Sequence, residues 1–169
     1  QAKVCYEKAI ALDKEWFVPH YNLALLYEEK FEDANKALTH YEEAQRLLEE
    51  SLAALRSSGP AEEIAMAVLN LGNVAWMTGD YHLAGRRCQE ALAIYRSTGD
   101  SFGTAETLDL LGVIAWSRGD YPVARRYLQE AVELFRQAGR PAEAAGTLDH
   151  MGVTLRELGE YDLARQHFL

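Results

Sequence analysis

An all-helical solenoid of antiparallel helix pairs, about nine helices long, is the fold this chain predicts, and three observations predict it. Leu71-Gly72, Leu111-Gly112 and Met151-Gly152 recur at forty-residue steps, as do Gly79-Asp80-Tyr81, Gly119-Asp120-Tyr121 and Gly159-Glu160-Tyr161. With Gly59, Gly99 and Gly139, nine of the twelve glycines stand on three ladders of one period. The residues between these marks carry apolar side chains at helical spacing, without the alternation of a strand. A repeat of this length marks an array in which each unit buries its apolar face only against its neighbours.

Composition bounds what such an array can do. With 49% hydrophobic and 25% charged residues in 169, the chain has enough apolar side chains for a packed core and too many for disorder. No apolar run approaches the roughly eighteen residues of a membrane span. The first residues lack the basic-then-apolar pattern of a signal peptide, so a cytoplasmic location is expected. A net charge of −9 and a pI near 5.0 disfavour nucleic acid and anionic membrane, whose binding draws on Lys and Arg. Cys5 and Cys88 lie in different repeats, with neither a disulfide framework nor zinc spacing, and read as small buried residues. His20, His40, His82, His150 and His167 show no ligand spacing, so no metal and no cofactor is expected.

The elements run in chain order. Residues 1–13 form a lone helix (Ala2 to Leu12), the second helix of a unit whose first is absent, which reads as a piece of a longer array. Residues 18–58 form a long unit, with a helix from Val18 to Lys30 and a longer one from Ala34 to Ser57. Pro19 sits in the first turn, where a missing N–H costs nothing. Ala24 precedes Gly72 by forty-eight residues; one extra residue falls in the link before Ala37 and seven fall inside the long helix. Seven residues are two turns, so Leu48, Leu52 and Leu55 continue the face of Ala37, Tyr41 and Ala44. Regular units then occupy 60–98, 100–138 and 140–169. Asp80, Asp120 and Glu160 stand ahead of their helices, where an acidic side chain can cap orphan N–H groups. All five lysines lie before residue 37 and all twelve arginines after residue 45, as a separate origin for residues 1–45 would leave them.

The units read Val68-x2-Leu71-Gly72-x2-Ala75 with Ala84-x3-Cys88, Leu108-x2-Leu111-Gly112-x2-Ala115 with Ala124-x3-Leu128, and Leu148-x2-Met151-Gly152-x2-Leu155 with Ala164-x3-Phe168. This resembles the tetratricopeptide repeat, W-x2-L-G-x2-Y followed by A-x3-F, over nearly the whole chain. The signature Trp and Tyr are replaced, and the unit is forty residues rather than about thirty-four. Longer Gly-Asp-Tyr units are similar to those of kinesin light chains, Pins-type polarity adaptors and the sensor arrays of bacterial signalling ATPases and regulators. The Ala- and Arg-rich character favours the bacterial group. The resemblance implies a right-handed superhelix. Gly72, Gly112 and Gly152 lie inside helices, where Gly costs about 1 kcal/mol against Ala. Close approach of the paired helix, with Ala84, Ala124 and Ala164 opposite, offsets that cost.

In the family the first helix of each pair lines the concave face. By resemblance the groove residues are Tyr21, Leu25, Glu28 and Glu29, then Met66, Leu69, Asn73, Trp76 and Met77, then Glu106, Asp109, Val113, Trp116 and Ser117, then Gly146, Asp149, Val153, Arg156 and Glu157. Two tryptophans forty apart, flanked by carboxylates, suit a peptide or protein segment with apolar anchors and basic residues. The same tryptophans could instead pack between adjacent helices. A carboxylate clamp needs Lys where Leu69, Asp109 and Asp149 stand, and the asparagine ladder of kinesin light chains survives only as Asn70 and Asn73. Asp109 and Asp149 could face each other as an acid–base pair, but no nucleophile, closed pocket or phosphate loop accompanies them, so no catalysis is expected. The implied function is a protein-interaction module within a larger signalling or scaffold protein; the alternative is a structural scaffold that self-assembles through end-to-end or lateral solenoid contacts.

Overall fold

The computed structural model describes residues 1–163. Across those residues eight helices succeed one another: α1 (Ala2–Leu12), α2 (Phe17–Glu29), α3 (Ala34–Ser58), α4 (Ala61–Met77), α5 (Tyr81–Thr98), α6 (Ser101–Ser117), α7 (Tyr121–Gln137) and α8 (Pro141–Glu157). Residues 161–163 are the opening of a ninth. Each helix packs on the one before and the one after it, and beyond these pairs α4 touches α6 and α6 touches α8. That pattern is a solenoid: the first helices of successive pairs meet along one side. Among the described residues no helix is long and apolar enough to cross a membrane.

The turns explain the Gly-Asp-Tyr mark. At Gly79 (φ +84°), Gly119 (+80°) and Gly159 (+75°) the chain adopts the left-handed conformation that favours glycine. The N–H of Gly79 then reaches the Trp76 carbonyl, and that of Asp80 reaches the Ala75 carbonyl, which satisfies two helix-end carbonyls. Gly139 makes the same turn after α7. Gly59 does not; its φ of −79° is extended, and its place on the ladder is not a conformational one. Before α3 the link is one residue longer. Its equivalent bond runs from Asp33 N–H to the Tyr27 carbonyl, and Glu32 takes the positive φ of +50°.

Caps are only partly those expected. Asp80 accepts from the Leu83 N–H at 2.9 Å. Asp33 and Asp100, which the spacing did not single out, cap α3 and α6 in the same way. Asp120 makes no cap bond and Glu160 turns to Arg125 instead. Pro60 is the N-cap of α4 and makes no side-chain cap bond.

The interior is three clusters of buried side chains in series along the stack. Helix α3 has 25 residues and α5 has 18, and the added two turns keep Ala37, Tyr41, Ala44, Leu48 and Leu52 buried on one face, joined by Leu47. The helix-interior glycines permit close approach, though not against the alanines alone. A Cβ at Gly72 would lie 2.7 Å from the Cys88 sulfur, and one at Gly112 would lie 2.5 Å from Leu128 Cγ. The alanines contribute backbone: the Ala84 and Ala124 carbonyls would each be 3.4 Å away. Gly152 is buried, but its counterparts Ala164 and Phe168 lie outside the described residues. Cys88 is buried while Cys5 is exposed, because α1 buries none of its residues.

On the outer side, long ion pairs link second helices of successive pairs. Arg56 meets Glu90 at 2.5 Å and Arg96 meets Glu130 at 2.7 Å, one repeat apart. Both pairs are exposed, so each contributes at most about 1 kcal/mol.

Candidate functional site

The first helices α4, α6 and α8 bring their residues to one open groove of about 890 Å³, extended at one end by Tyr21 of α2. Its floor comes from second helices: Tyr95 of α5 and Phe135 of α7, buried and forty residues apart. Gly103, off the three ladders, lets α6 close over Tyr95, since a Cβ there would sit 2.5 Å from the ring. Phe102 packs edge-on to Phe135 with centroids 5.8 Å apart, and the Arg140 guanidinium lies over the Phe102 ring, 4.6 Å from its centroid. Arg140 also bonds Glu143, which holds that carboxyl below its ordinary range.

The groove is acidic. Glu62, Glu63, Asp100, Glu106, Asp109 and Glu143 line it, and none of the lining residues is Lys or Arg. Burial, then the nearby Asp100 carboxylate, raises the Glu106 carboxyl. Burial with Asp100 and Glu106 pushes the Tyr95 hydroxyl up to about 12. Asp109 does not face Asp149 as an acid–base pair. Its Oδ1 lies 3.0 Å from His150 Nδ1, and this bond raises the imidazole above its ordinary value.

Beside the groove lies a smaller apolar pocket of about 280 Å³, walled by Trp76, Val113, Trp116, Leu128, His150, Val153 and Thr154. The two tryptophans differ. Trp76 packs against the core and donates its Nε1–H to Ser117 Oγ at 3.1 Å, so it both joins two repeats and lines the groove. Trp116 remains 37% exposed at the rim.

Of the groove residues drawn from the repeat, Tyr21, Met66, Leu69, Asn73, Trp76, Glu106, Asp109, Val113 and Gly146 line the main cavity, and Trp116 and Val153 the smaller one. The others do not. Met77, at the end of α4, tucks against the first core cluster with Leu25. Glu28 accepts from the Tyr41 hydroxyl, Ser117 from Trp76, and Glu29 is exposed. Asp149 is exposed and Arg156 pairs with Glu157. In α8 the inward position is His150, one residue later than Asp149. His150 continues Asn70 and Leu110, a forty-residue ladder that lines the groove throughout and is visible in the sequence. The carboxylates of the first turns, Glu62, Glu63 and Glu143, carried no such signal.

The family model for the tetratricopeptide repeat matches residues 63–137. Those residues are tetratricopeptide repeats. Solved structures agree on the fold across most of its length. The tetratricopeptide-like repeats of a putative kinesin light chain from Podospora anserina superpose with a TM-score of 0.66 at 16% identity, covering 98% of this chain and 81% of that one. BtubC from P. vanneervenii gives 0.61 at 20% identity, over 96% and 67%. A Rap protein complexed with competence and sporulation factor gives 0.69 at 15% identity, over 90% of this chain and 52% of that one. At these identities the likeness is one of fold. No curated protein matches the chain in sequence. A tetratricopeptide-repeat fold is a protein-interaction module, and the long open groove fits that role.

Proposed function

We propose that this tetratricopeptide array holds an extended or helical segment of another protein in the groove of α4, α6 and α8, as a non-catalytic cytoplasmic module of a larger signalling or scaffold protein. The partner segment carries a bulky apolar side chain and basic residues. One observation carries the reading: six carboxylates and, among the described residues, no lysine or arginine line a groove with a tryptophan-walled apolar pocket beside it. An apolar side chain entering that pocket loses its water, and a neighbouring Lys or Arg meets the carboxylates. The Rap protein solved with competence and sporulation factor supports a binding role for this fold.

The test is an array of synthetic peptides that vary in charge and in one apolar residue, read against the folded chain and its Trp116→Ala and Glu106→Gln variants. Basic peptides with a Leu, Phe or Trp should bind, and both variants should lose them. Binding that ignores both substitutions would remove the groove from consideration. A second reading, self-association through the α1 end, draws support from Leu12, Val4 and Phe31, which are 89%, 51% and 52% exposed. Sedimentation over a wide concentration range decides it; a constant monomer mass rules it out.

A further inference from the structure

A second cavity, of about 440 Å³, lies between α5 and α7 and shares no lining residue with the groove. Buried Leu111, Ile114 and Ala115 of α6 line it from within. Its polar wall holds Arg86 and Gln89 of α5, Arg118 at the end of α6, Asp120 ahead of α7 and Tyr127 of α7. The donors of that wall are not consumed by the chain. Among the described residues the Arg86 guanidinium makes no ion pair, and Arg118 reaches only Asp120, at 3.9 Å, too long for a hydrogen bond. Gln89 donates from Nε2 to the Tyr127 hydroxyl oxygen at 3.0 Å, which leaves the phenolic proton for another acceptor.

The room in this cavity comes from Gly85. It stands inside α5, where only proline is less favourable, and a Cβ there would meet nothing within 4 Å. Close helix approach accounts for Gly72 and Gly112; it does not account for Gly85. The next repeat shows the same place built differently. Forty residues on, Arg125 stands at the Gly85 position and bonds Glu160, the counterpart of Asp120, at 2.7 and 2.9 Å, while Leu158 stands where Arg118 does. In that repeat the arginine is satisfied by the chain's own carboxylate. Between α5 and α7 the glycine leaves space in its stead, and Arg118 brings a second guanidinium beside Arg86.

We infer that this cavity is a binding site for a phosphate monoester, with Arg86 and Arg118 on its oxygens and the Tyr127 hydroxyl donating a further bond. Guanidinium groups match phosphate with paired N–H donors, and charge-assisted bonds of this kind are the strong ones. A net charge of −9 tells against polyanions, but a single phosphate asks only for local donors. The loose contact between Asp120 and Arg118 is no barrier, since a dianion within hydrogen-bond reach attracts the guanidinium more strongly than one carboxylate 3.9 Å away.

The experiment titrates the folded chain with sodium phosphate and, separately, with the tripeptide glycyl-phosphoseryl-glycine, at an ionic strength held constant with sodium chloride so that screening does not change. Arginine Nε–H signals are followed by NMR. Those of Arg86 and Arg118 should shift and saturate, and that of Arg96 should stay. Arg86→Gln and Arg118→Gln should each weaken binding about tenfold or more, as loss of a charge-assisted bond does. Gly85→Glu puts a carboxylate of the chain's own into the cavity; it should melt no lower than the parent, because a good helix former replaces glycine, and yet lose saturable binding. Trp116→Ala, which alters only the groove, should bind phosphate unchanged. Tighter binding of the tripeptide assigns the site to a phosphorylated side chain, tighter binding of inorganic phosphate to a free anion, and both support it. No saturable shift at Arg86 and Arg118 with either probe, or parental affinity in a folded Gly85→Glu chain, would overturn the assignment.

Discussion

The glycines inside α4 and α6 allow a test of what holds the repeat together. Leu128 is fully buried, so it cannot swing outward to admit a Cβ at Gly112, which would lie 2.5 and 2.6 Å from its Cγ and Cδ2. Overpacking of this kind costs about 1–3 kcal/mol, whereas replacing Gly by Ala in a helix returns about 1 kcal/mol. Gly112→Ala should therefore be neutral to destabilising by about 2 kcal/mol. Gly85 supplies the control: it too lies within a helix, but a Cβ there meets nothing within 4 Å. Gly85→Ala should stabilise by about 0.5–1 kcal/mol, the ordinary helix gain. The difference between the two substitutions isolates the clash. For a chain of this size each kcal/mol moves Tm by about 2–4 °C, and urea unfolding followed by circular dichroism resolves it. A double-mutant cycle sharpens the test. Leu128→Ala alone should cost about 2–5 kcal/mol, and on that background Gly112→Ala should become stabilising. If Gly112→Ala stabilises the intact chain as much as Gly85→Ala, close helix approach is not why the glycine is there.

His150, bonded to Asp109, should titrate above 6.5 in an NMR pH series, and Asp109→Asn should lower its midpoint. Because the folded value is the higher one, the stability this pair contributes is fully present below about pH 6.5 and fades as pH rises through the folded midpoint; stability that grows over that interval would contradict the assignment. Arg96→Ala should cost less than about 1 kcal/mol, and the loss should disappear at high salt, since the pair with Glu130 is exposed. A thiol reagent at neutral pH should modify Cys5 and spare Cys88, whose thiol burial pushes up to about 12; equal rates at the two would mean that the packing of α5 on α4 and α6 opens readily.

The forty-residue marks made the stack legible because, Gly59 apart, the glycines answer a backbone demand. Gly79, Gly119 and Gly159 turn the chain left-handed, Gly72 and Gly112 admit a neighbouring helix, and no other residue type does either as cheaply. The seven added residues of α3 were legible for the same reason, as two turns restore the buried face. What stayed hidden depended on a side chain's freedom. The carboxylate of Asp120 could cap or not, and its helix carries Pro122 in the first turn, where one donor is already missing. Asp109 bonded His150 of the next repeat rather than facing Asp149. His20 and His40, twenty residues apart on different helices, meet only because α2 folds back on α3, which no local spacing announces.

The same division runs along each first helix and bears on how the groove can change. In α6 the inward face toward the core holds Leu108, Leu111, Gly112 and Ala115, all buried and fixed by packing on α7. The groove face holds Glu106, Asp109, Val113 and Trp116, whose volumes touch little of that core. A substitution on the second set alters charge and shape in the groove at small cost in stability, because surface changes away from packed sites usually stay within about 0.5 kcal/mol. Asp109 and Trp76 are the exceptions: Asp109 bonds His150 of α8, and Trp76 ties α4 to Ser117 of α6 through its Nε1–H while its ring packs against the second core cluster. Trp76→Ala therefore removes a groove wall and an inter-repeat contact together, whereas Trp116→Ala, at the exposed rim, removes the groove wall alone. Loss of ligand by Trp116→Ala at unchanged Tm is thus the result that speaks for recognition rather than packing.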